Sequence, residues 1–342
     1  MQHRRDPRPI LAITMGDAAG CGPEIIVKAL DNPHFYQLCR PLVFGDLGRI
    51  KLAASLVNSS LTITKAENIH TGVYQHGHVD VLDFDNIPED LPFGQVDERA
   101  GHAAFTYIEA AIQQALKNQV AAIVTAPINK EALHKGGHHF PGHTEILAEL
   151  SHTADYAMML AGDALRVIHV TTHVSMVDAA KLIKKDRVLR IIRLADRTLR
   201  LLGLEKPRIA VAGFNAHAGE NGLFGREDMD EIAPAVLAAQ EDGIAATGPI
   251  PPDTVFYRTV CRKEFDIVVV MYHDQGHIPI KLLGFDNGIN VTVGLPFLRT
   301  SVDHGTAFDI AGTGVADSSS MSAAIEFAAR LADGSRKSAL NQ

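Results

Sequence analysis

The chain has 342 residues, 46% hydrophobic and 21% charged, with a formal net charge of −8. That length suits two domains or one large α/β unit with an ordinary buried core, and the composition excludes a disordered chain. The acidic balance, with no dense run of Lys and Arg, argues against a general nucleic-acid binder, and no apolar run approaches the roughly 20 residues that cross a bilayer.

The charged start (residues 1–7) leads into a short apolar run at 10–15, too short for a secretory core and read as the first strand. A Gly-rich turn follows and opens a helix over 23–30, and a second strand covers 41–44, closed by Gly45-Asp46. Residues 60–98 are polar, with strand-like pieces such as 79–82 and with Pro88 and Pro92 as punctuation. Phe105, Ile108, Ala111, Ile112 and Ala115 give 102–117 the spacing of an amphipathic helix, and 120–125 reads as a buried strand. Residues 177–202 form one or two helices whose Lys and Arg residues suit a solvated face. Further helices fall at 231–242 and 321–332. His134, His138 and His139, beside Gly136 and Gly137, read as a flexible solvated loop rather than a second metal site. Repeated strand–helix alternation implies an α/β fold with a mainly parallel sheet flanked by helices.

Three apolar strands run toward a histidine: 165–170 toward His173, 208–214 toward His217, and 266–272 into His273. In α/β sheets the ligand crevice lies outside the carboxyl ends of the strands. Three neutral imidazoles with an open fourth position suit Zn²⁺ or a similar divalent ion, although the spacing alone does not prove that they converge. Cys21, Cys39 and Cys261 are widely separated and form no Cys-x-x-Cys pair. This excludes a thiolate zinc site and a disulfide scaffold, and leads us to expect a reducing cytoplasm.

The turn Gly16-Asp17-Ala18-Ala19-Gly20-Cys21-Gly22-Pro23-Glu24 lacks the spacing of the Rossmann fingerprint, and Asp17 would repel a pyrophosphate. Near the other end, His304-Gly305-Thr306-Ala307-Phe308-Asp309-Ile310-Ala311-Gly312-Thr313-Gly314 can wrap a polar cofactor through backbone groups. Together the two segments resemble the paired signature of isopropylmalate and isocitrate dehydrogenases. Between them lie Gly142-His143-Thr144-Glu145, Thr172-His173, Asn215-Ala216-His217, Pro252-Asp253-Thr254, Tyr272-His273-Asp274-Gln275-Gly276 and a Gly294 to Ser301 segment. In that order they resemble the 4-hydroxythreonine-4-phosphate dehydrogenase family over nearly the full chain.

The resemblance implies a two-domain isocitrate/isopropylmalate dehydrogenase-like fold. Residues 1–126 plus 300–342 would contribute the cofactor loop, and 127–299 would carry metal, substrate and dimer contacts. It implies NAD- and metal-dependent oxidation of a phosphorylated 3-hydroxy acid with loss of CO₂, in a homodimer whose active sites draw histidines from both subunits. The ion would be Zn, Mg, Mn or Co. Matched by position, His173, His217 and His273 are the metal ligands, while His143, Thr144, Lys281, Asn290 and Arg299 contact substrate. Gly16, Asp17, His304, Gly305 and Asp309 are the cofactor-binding candidates. The chain departs from the family pattern at Ala18, Cys21 and Ala216.

Physical roles follow for these positions. His143 and Thr144 fit phosphate binding at a helix N-terminus, and Arg299 suits a bidentate grip on an anion. Lys281 lies in the apolar run 277–285, where a charge needs a partner. Asp253 and Asp274 are candidates either to orient an imidazole or to act, with Lys281, in proton transfer. Two substrates compete, 4-phospho-D-threonate or -erythronate of sugar-acid catabolism and 4-phosphooxy-L-threonine of pyridoxal phosphate synthesis. Local wording around His169, Glu220 and His277 favours the first. A metal-dependent hydrolase is the alternative of another class, and it would leave the loop at 304–314 unexplained.

Overall fold

The computed structural model describes residues 6–284 and 288–340. The charged residues 1–5 and Phe285, the end of the apolar run, lie outside the described residues. The chain divides into two units, Met1–Ala154 with Leu295–Asp333, and Asp155–Gly294 with Gly334–Gln342.

The first unit begins with β1 (Ile10–Thr14), buried throughout, and α1 (Gly22–Leu30). It continues through α2 (Phe35–Leu38), β2 (Arg40–Gly45), α3 (Leu47–Leu56), β3 (Thr62–Ala66) and β4 (His78–Asp83). Then come α4 (Glu98–Leu116), β5 (Ala122–Thr125), α5 (Lys130–Lys135) and α6 (His143–Leu150). The second unit carries β6 (Ala157–Ala161), β7 (Arg166–His169), α7 (Met176–Leu182), α8 (Lys185–Leu201), β8 (Ile209–Ala212), α9 (Ala233–Glu241) and β9 (Ala246–Ile250). It ends with α10 (Pro252–Val260), β10 (Ile267–Val270), α11 (His273–Leu283) and β11 (Ile289–Val293). The chain closes with β12 (Leu298–Val302) and α12 (Ser319–Leu340), which belongs to the first unit as far as Asp333.

Strands of the first unit lie in the order β3-β4-β2-β1-β5-β12 and every pairing is parallel. Those of the second follow β11-β6-β7-β10-β8-β9, where only β6 runs against its neighbours. Parallel strands covered on both faces read as continuous apolar runs, which is what Ile-Leu-Ala-Ile-Thr and Ile-Val-Val-Val of β1 and β10 show. Side chains of Asp46, Asp97, Asn129 and Ser175 accept backbone N–H groups at the starts of α3, α4, α5 and α7.

The division departs from the expected boundaries, because residues 127–154 and 295–299 group with the first unit. Two contacts explain this. β12 pairs with β5, and α5 packs so closely on α4 that a Cβ on Gly101 would lie 1.9 Å from the Ala132 carbonyl oxygen. Three local expectations also change. Arg187 of α8 is not on a solvated face, since its guanidinium donates to the carbonyls of Val170 and Tyr156. His138 is not in a loose loop: its ring stacks 3.7 Å from Phe105 and its Nε2 lies 2.9 Å from Nδ1 of His102. Finally, the apolar side of α11 is largely open, with Leu282 82% exposed.

Candidate active site

In the first unit the chain leaves β1 through a turn at Gly16, whose φ is +73°. A Cβ there would sit 2.3 Å from the Pro127 carbonyl oxygen, so the turn needs glycine. Asp17 is fully buried and its Oδ1 accepts the Ala19 N–H at 2.8 Å, so the carboxylate shapes the turn. Burial pushes its pKa up to about 6. Cys21 N–H then donates to the Thr306 carbonyl, tying the turn to the loop after β12. On that loop His304, Gly305 and Asp309 are exposed, and a Cβ on Gly305 would meet open space. An anchored loop with an open outer edge fits a dinucleotide bound through backbone groups.

β12 runs beside β5 with Arg299 opposite Ile123. Arg299 is buried there and its Nη2 donates to Thr125 Oγ1 at 2.7 Å. Burial lowers its pKa to about 9, with the Glu145 carboxylate pulling the other way. His143 opens α6. Burial, and then the Arg299 charge, hold its pKa well below the ordinary histidine value, while its ring bonds the Ala126 backbone. The imidazole is therefore neutral at pH 7, and its buried Nε2 has no hydrogen-bond partner among the described residues. Thr144 follows in the first turn, where Gly142 supplies no side-chain cap. An uncapped helix start beside a buried guanidinium is suited to phosphate or carboxylate.

In the second unit β7, β10 and β8 are parallel neighbours, so their carboxyl ends share one edge. His173 and His273 follow two of them, with ring centroids 5.7 Å apart. Asp274 Oδ1 lies 2.7 Å from His273 Nδ1, an arrangement that fixes the ring and leaves Nε2 as the donor to a ligand. His217 sits in a left-handed turn in which His217, Ala218, Gly219, Glu220 and Asn221 all have positive φ. The non-glycine members each cost roughly 1–2 kcal/mol there. Asp228, fully buried, holds the turn by accepting from Phe214 N, Asn215 N and Asn215 Nδ2. Gln275 bridges to the same region, donating to the Gly213 carbonyl and accepting from Met271 N.

The donor chemistry fits a divalent ion, but among the described residues no three His, Cys, Asp or Glu groups are placed to hold one. A single copy of the chain sets the His173 and His273 rings 5.7 Å apart, and among the described residues His217 completes no three-group site with them. Of the remaining expected residues, Asp253 is exposed in the first turn of α10 and Lys281 is half-buried in α11. The Asn290 Oδ1 of β11 is buried without a hydrogen-bond partner among the described residues.

Sequence reasoning missed His169 and His277. His169 ends β7, almost fully buried, with its Nδ1 3.1 Å from the Met158 carbonyl and its pKa lowered to about 3, mainly by burial. Its ring packs so near α11 that a Cβ on Gly276 would lie 2.7 Å from Nε2, which accounts for that glycine. His277 stacks on His273 at 3.6 Å. Its four-residue offset from His273 on one helix was a readable signal.

A profile of the family described as pyridoxal phosphate biosynthetic protein PdxA matches residues 37–328. The chain belongs to this family. It is 52% identical, over 96% of its length and 98% of the relative's, to a D-threonate 4-phosphate dehydrogenase of Cupriavidus necator. It is 47% identical, over 95% and 98%, to a 4-hydroxythreonine-4-phosphate dehydrogenase of Trichlorobacter lovleyi. A crystal structure of a 4-hydroxythreonine-4-phosphate dehydrogenase from Burkholderia phymatum superposes with a TM-score of 0.85 at 51% identity, covering 95% of this chain and 99% of that one. An isocitrate dehydrogenase from Methylococcus capsulatus shares the fold alone, with a TM-score of 0.50 at 15% identity over 96% of this chain and 88% of that one. This PdxA-family chain is thus an oxidoreductase of the dehydrogenase class with the isocitrate dehydrogenase-like α/β fold. Among its described residues no helix is long and apolar enough to cross a membrane.

Proposed function

We propose that the chain oxidises the C3 hydroxyl of 4-phospho-D-threonate or 4-phospho-D-erythronate with NAD⁺ and a divalent metal, and releases CO₂ to give dihydroxyacetone phosphate. The observation that carries this reading is the buried Arg299 beside neutral His143 at the open start of α6. The 52% identity to a relative named for a 4-phosphorylated hydroxy acid supports it. Arg299, Thr144 and His143 hold the anionic end; Asn290 and Lys281 keep the substrate-contact roles that the family resemblance gives them. The C3–H leaves as hydride to the nicotinamide while the hydroxyl proton passes to a base. Asp274 is committed to His273, so Lys281 and Asp253 remain to move that proton. The carboxylate at C2 then departs as CO₂, leaving an electron pair that is protonated at C2. A bound divalent ion would supply Lewis-acid polarisation of the C3 oxygen.

Metal retention requires a second copy of the chain in this reading. Support comes from the apolar side chains left open near the histidines: Val174 and Val177 after His173, Leu223 and Phe224 after His217, and Ile278 and Leu282 on α11. Exposed apolar surface of this kind marks a protein contact. Three free cysteines accord with a cytoplasmic location.

The 47% identity to the second relative favours 4-phosphooxy-L-threonine as the other substrate to test. A panel of the amino and hydroxy acids with NAD⁺ and Zn²⁺, Mg²⁺, Mn²⁺ or Co²⁺, followed by nicotinamide absorbance, separates the two. Turnover of the hydroxy acids with release of CO₂ and dihydroxyacetone phosphate is expected. Turnover of the amino acid alone would replace this reading, and NAD⁺-independent hydrolysis would overturn it.

A further inference from the structure

We propose that Glu24 is a positioning residue for the cofactor: it sets the shape of the 304–316 loop and thereby the affinity for NAD⁺. The inference rests on the dinucleotide reading above. Glu24 is fully buried in the first turn of α1. Its two oxygens accept the N–H groups of Gly312 and Gly314, at 2.6 and 2.7 Å. Both glycines are left-handed, at φ +82° and +74°. A Cβ on Gly312 would lie 2.6 Å from the Phe93 ring, and one on Gly314 would lie 2.6 Å from the Leu56 carbonyl oxygen. The loop is therefore pressed against its surroundings, and a single carboxylate fixes two of its amides.

Glu24 acts with its neighbours on one helix face. Cys21, Glu24 and Lys28 are three and four residues apart, the spacing of one side of a helix. Their loop partners ascend in the same order: Cys21 N–H donates to Thr306 O, Glu24 accepts from Gly312 and Gly314, and Lys28 Nζ donates to Ala316 O at 2.8 Å. The acidic residue sits in the first turn of α1 and the basic one in the last, so each also suits the helix dipole. The loop is laid along α1, and its exposed edge at His304, Gly305 and Asp309 is left to meet the ligand. Of these contacts only the carboxylate meets two loop amides at once.

The test is Glu24→Gln. An amide can accept one of the two N–H groups but turns its own NH₂ toward the other, so one charge-assisted bond becomes a donor facing a donor. A bond of that type corresponds to about a tenfold change. The KM for NAD⁺ should rise about tenfold, with kcat at saturating NAD⁺ and the KM for the hydroxy acid each within about twofold. Hydrogen exchange at the Gly312 and Gly314 amides should accelerate, and Glu24→Asp, which reaches only one amide, should recover part of the affinity. If Glu24→Gln fails to fold, Lys28→Met at the half-buried rim carries the test, with an expected rise of about threefold in the same KM. A folded variant with unchanged KM for NAD⁺ overturns the inference and leaves the dinucleotide reading standing. Wild-type protein that binds no NAD⁺ by calorimetry overturns the reading itself, and the role of Glu24 with it.

Discussion

The anion end of the first unit and the imidazole end of the second are built in opposite ways. Arg299 and His143 are enclosed by their own chain, where burial, and then the Arg299 charge, keeps the imidazole neutral. His173 and His217 stand exposed, and His217 rides on a left-handed turn that the backbone does not favour. A buried cation must be matched before the fold is complete, so the single chain has to finish that end itself. An open set of imidazoles carries no such requirement and can wait for an ion and a covering surface. The contrast predicts where function depends on the fold of one copy and where it depends on assembly.

The largest expected effect is at the enclosed end. Arg299→Met removes the charge while keeping much of the volume, so kcat/KM for the phosphorylated acid should fall about 10²- to 10³-fold. Stability should also fall, because Thr125 Oγ1 loses its donor and the Glu145 carboxylate loses a neighbouring cation. Burial pulls against the Arg299 charge, but a guanidinium keeps its proton, so anion affinity should not fall between pH 7 and 9 through this group. Substrate KM of the wild type and of Arg299→Lys, which lacks the two-pronged grip, checks the assignment, and a Lys variant with wild-type KM would place the anion elsewhere.

The second effect probes the open end. His217→Ala should weaken metal retention by more than about a hundredfold, beyond the loss typical of an outer partner. Folding should survive, since Ala218 already occupies the same left-handed region at φ 54°. In the wild type, metal content should also fall on dilution, if the second copy proposed above covers the ion. Metal analysis of gel-filtered fractions reads both. Metal held fully by monomers would break the contrast drawn here.

These effects also show what the amino-acid sequence could disclose. Parallel strands buried on both faces announce themselves as apolar runs, so β1, β5, β7, β8 and β10 were legible to within two residues at each end. The strand-end histidines were legible for the same reason, because each follows such a run. Their incomplete convergence was not, since strand order and the path of the 215–225 turn depend on long-range contacts such as those of Asp228. The apolar run of α11 misled, because such a run implies burial only if something covers it, and Ile278 and Leu282 are exposed. The packing of His169 was not legible, because it comes from closeness to Gly276, a residue far along the chain.

Asp17 gives the smallest and most local test. As a candidate cofactor contact it would face a ligand, whereas here it is buried and serves the Gly16 turn. Its pKa, raised to about 6 by burial, means the folded state favours the protonated carboxyl. The stability this gives is fully present below the unfolded value of roughly 4 and is lost as pH rises through about 6. Asp17→Asn keeps an oxygen to accept the Ala19 N–H and carries no charge. At pH 7.5 it should therefore be more stable than wild type by about 1–2 kcal/mol, part of the gain being offset by the new NH₂ in a buried site. Urea unfolding from pH 3.5 to 8 should show the difference vanish below about pH 4. A variant less stable at every pH would mean that the ionised carboxylate is needed, and Asp17 would rejoin the groups that face the cofactor.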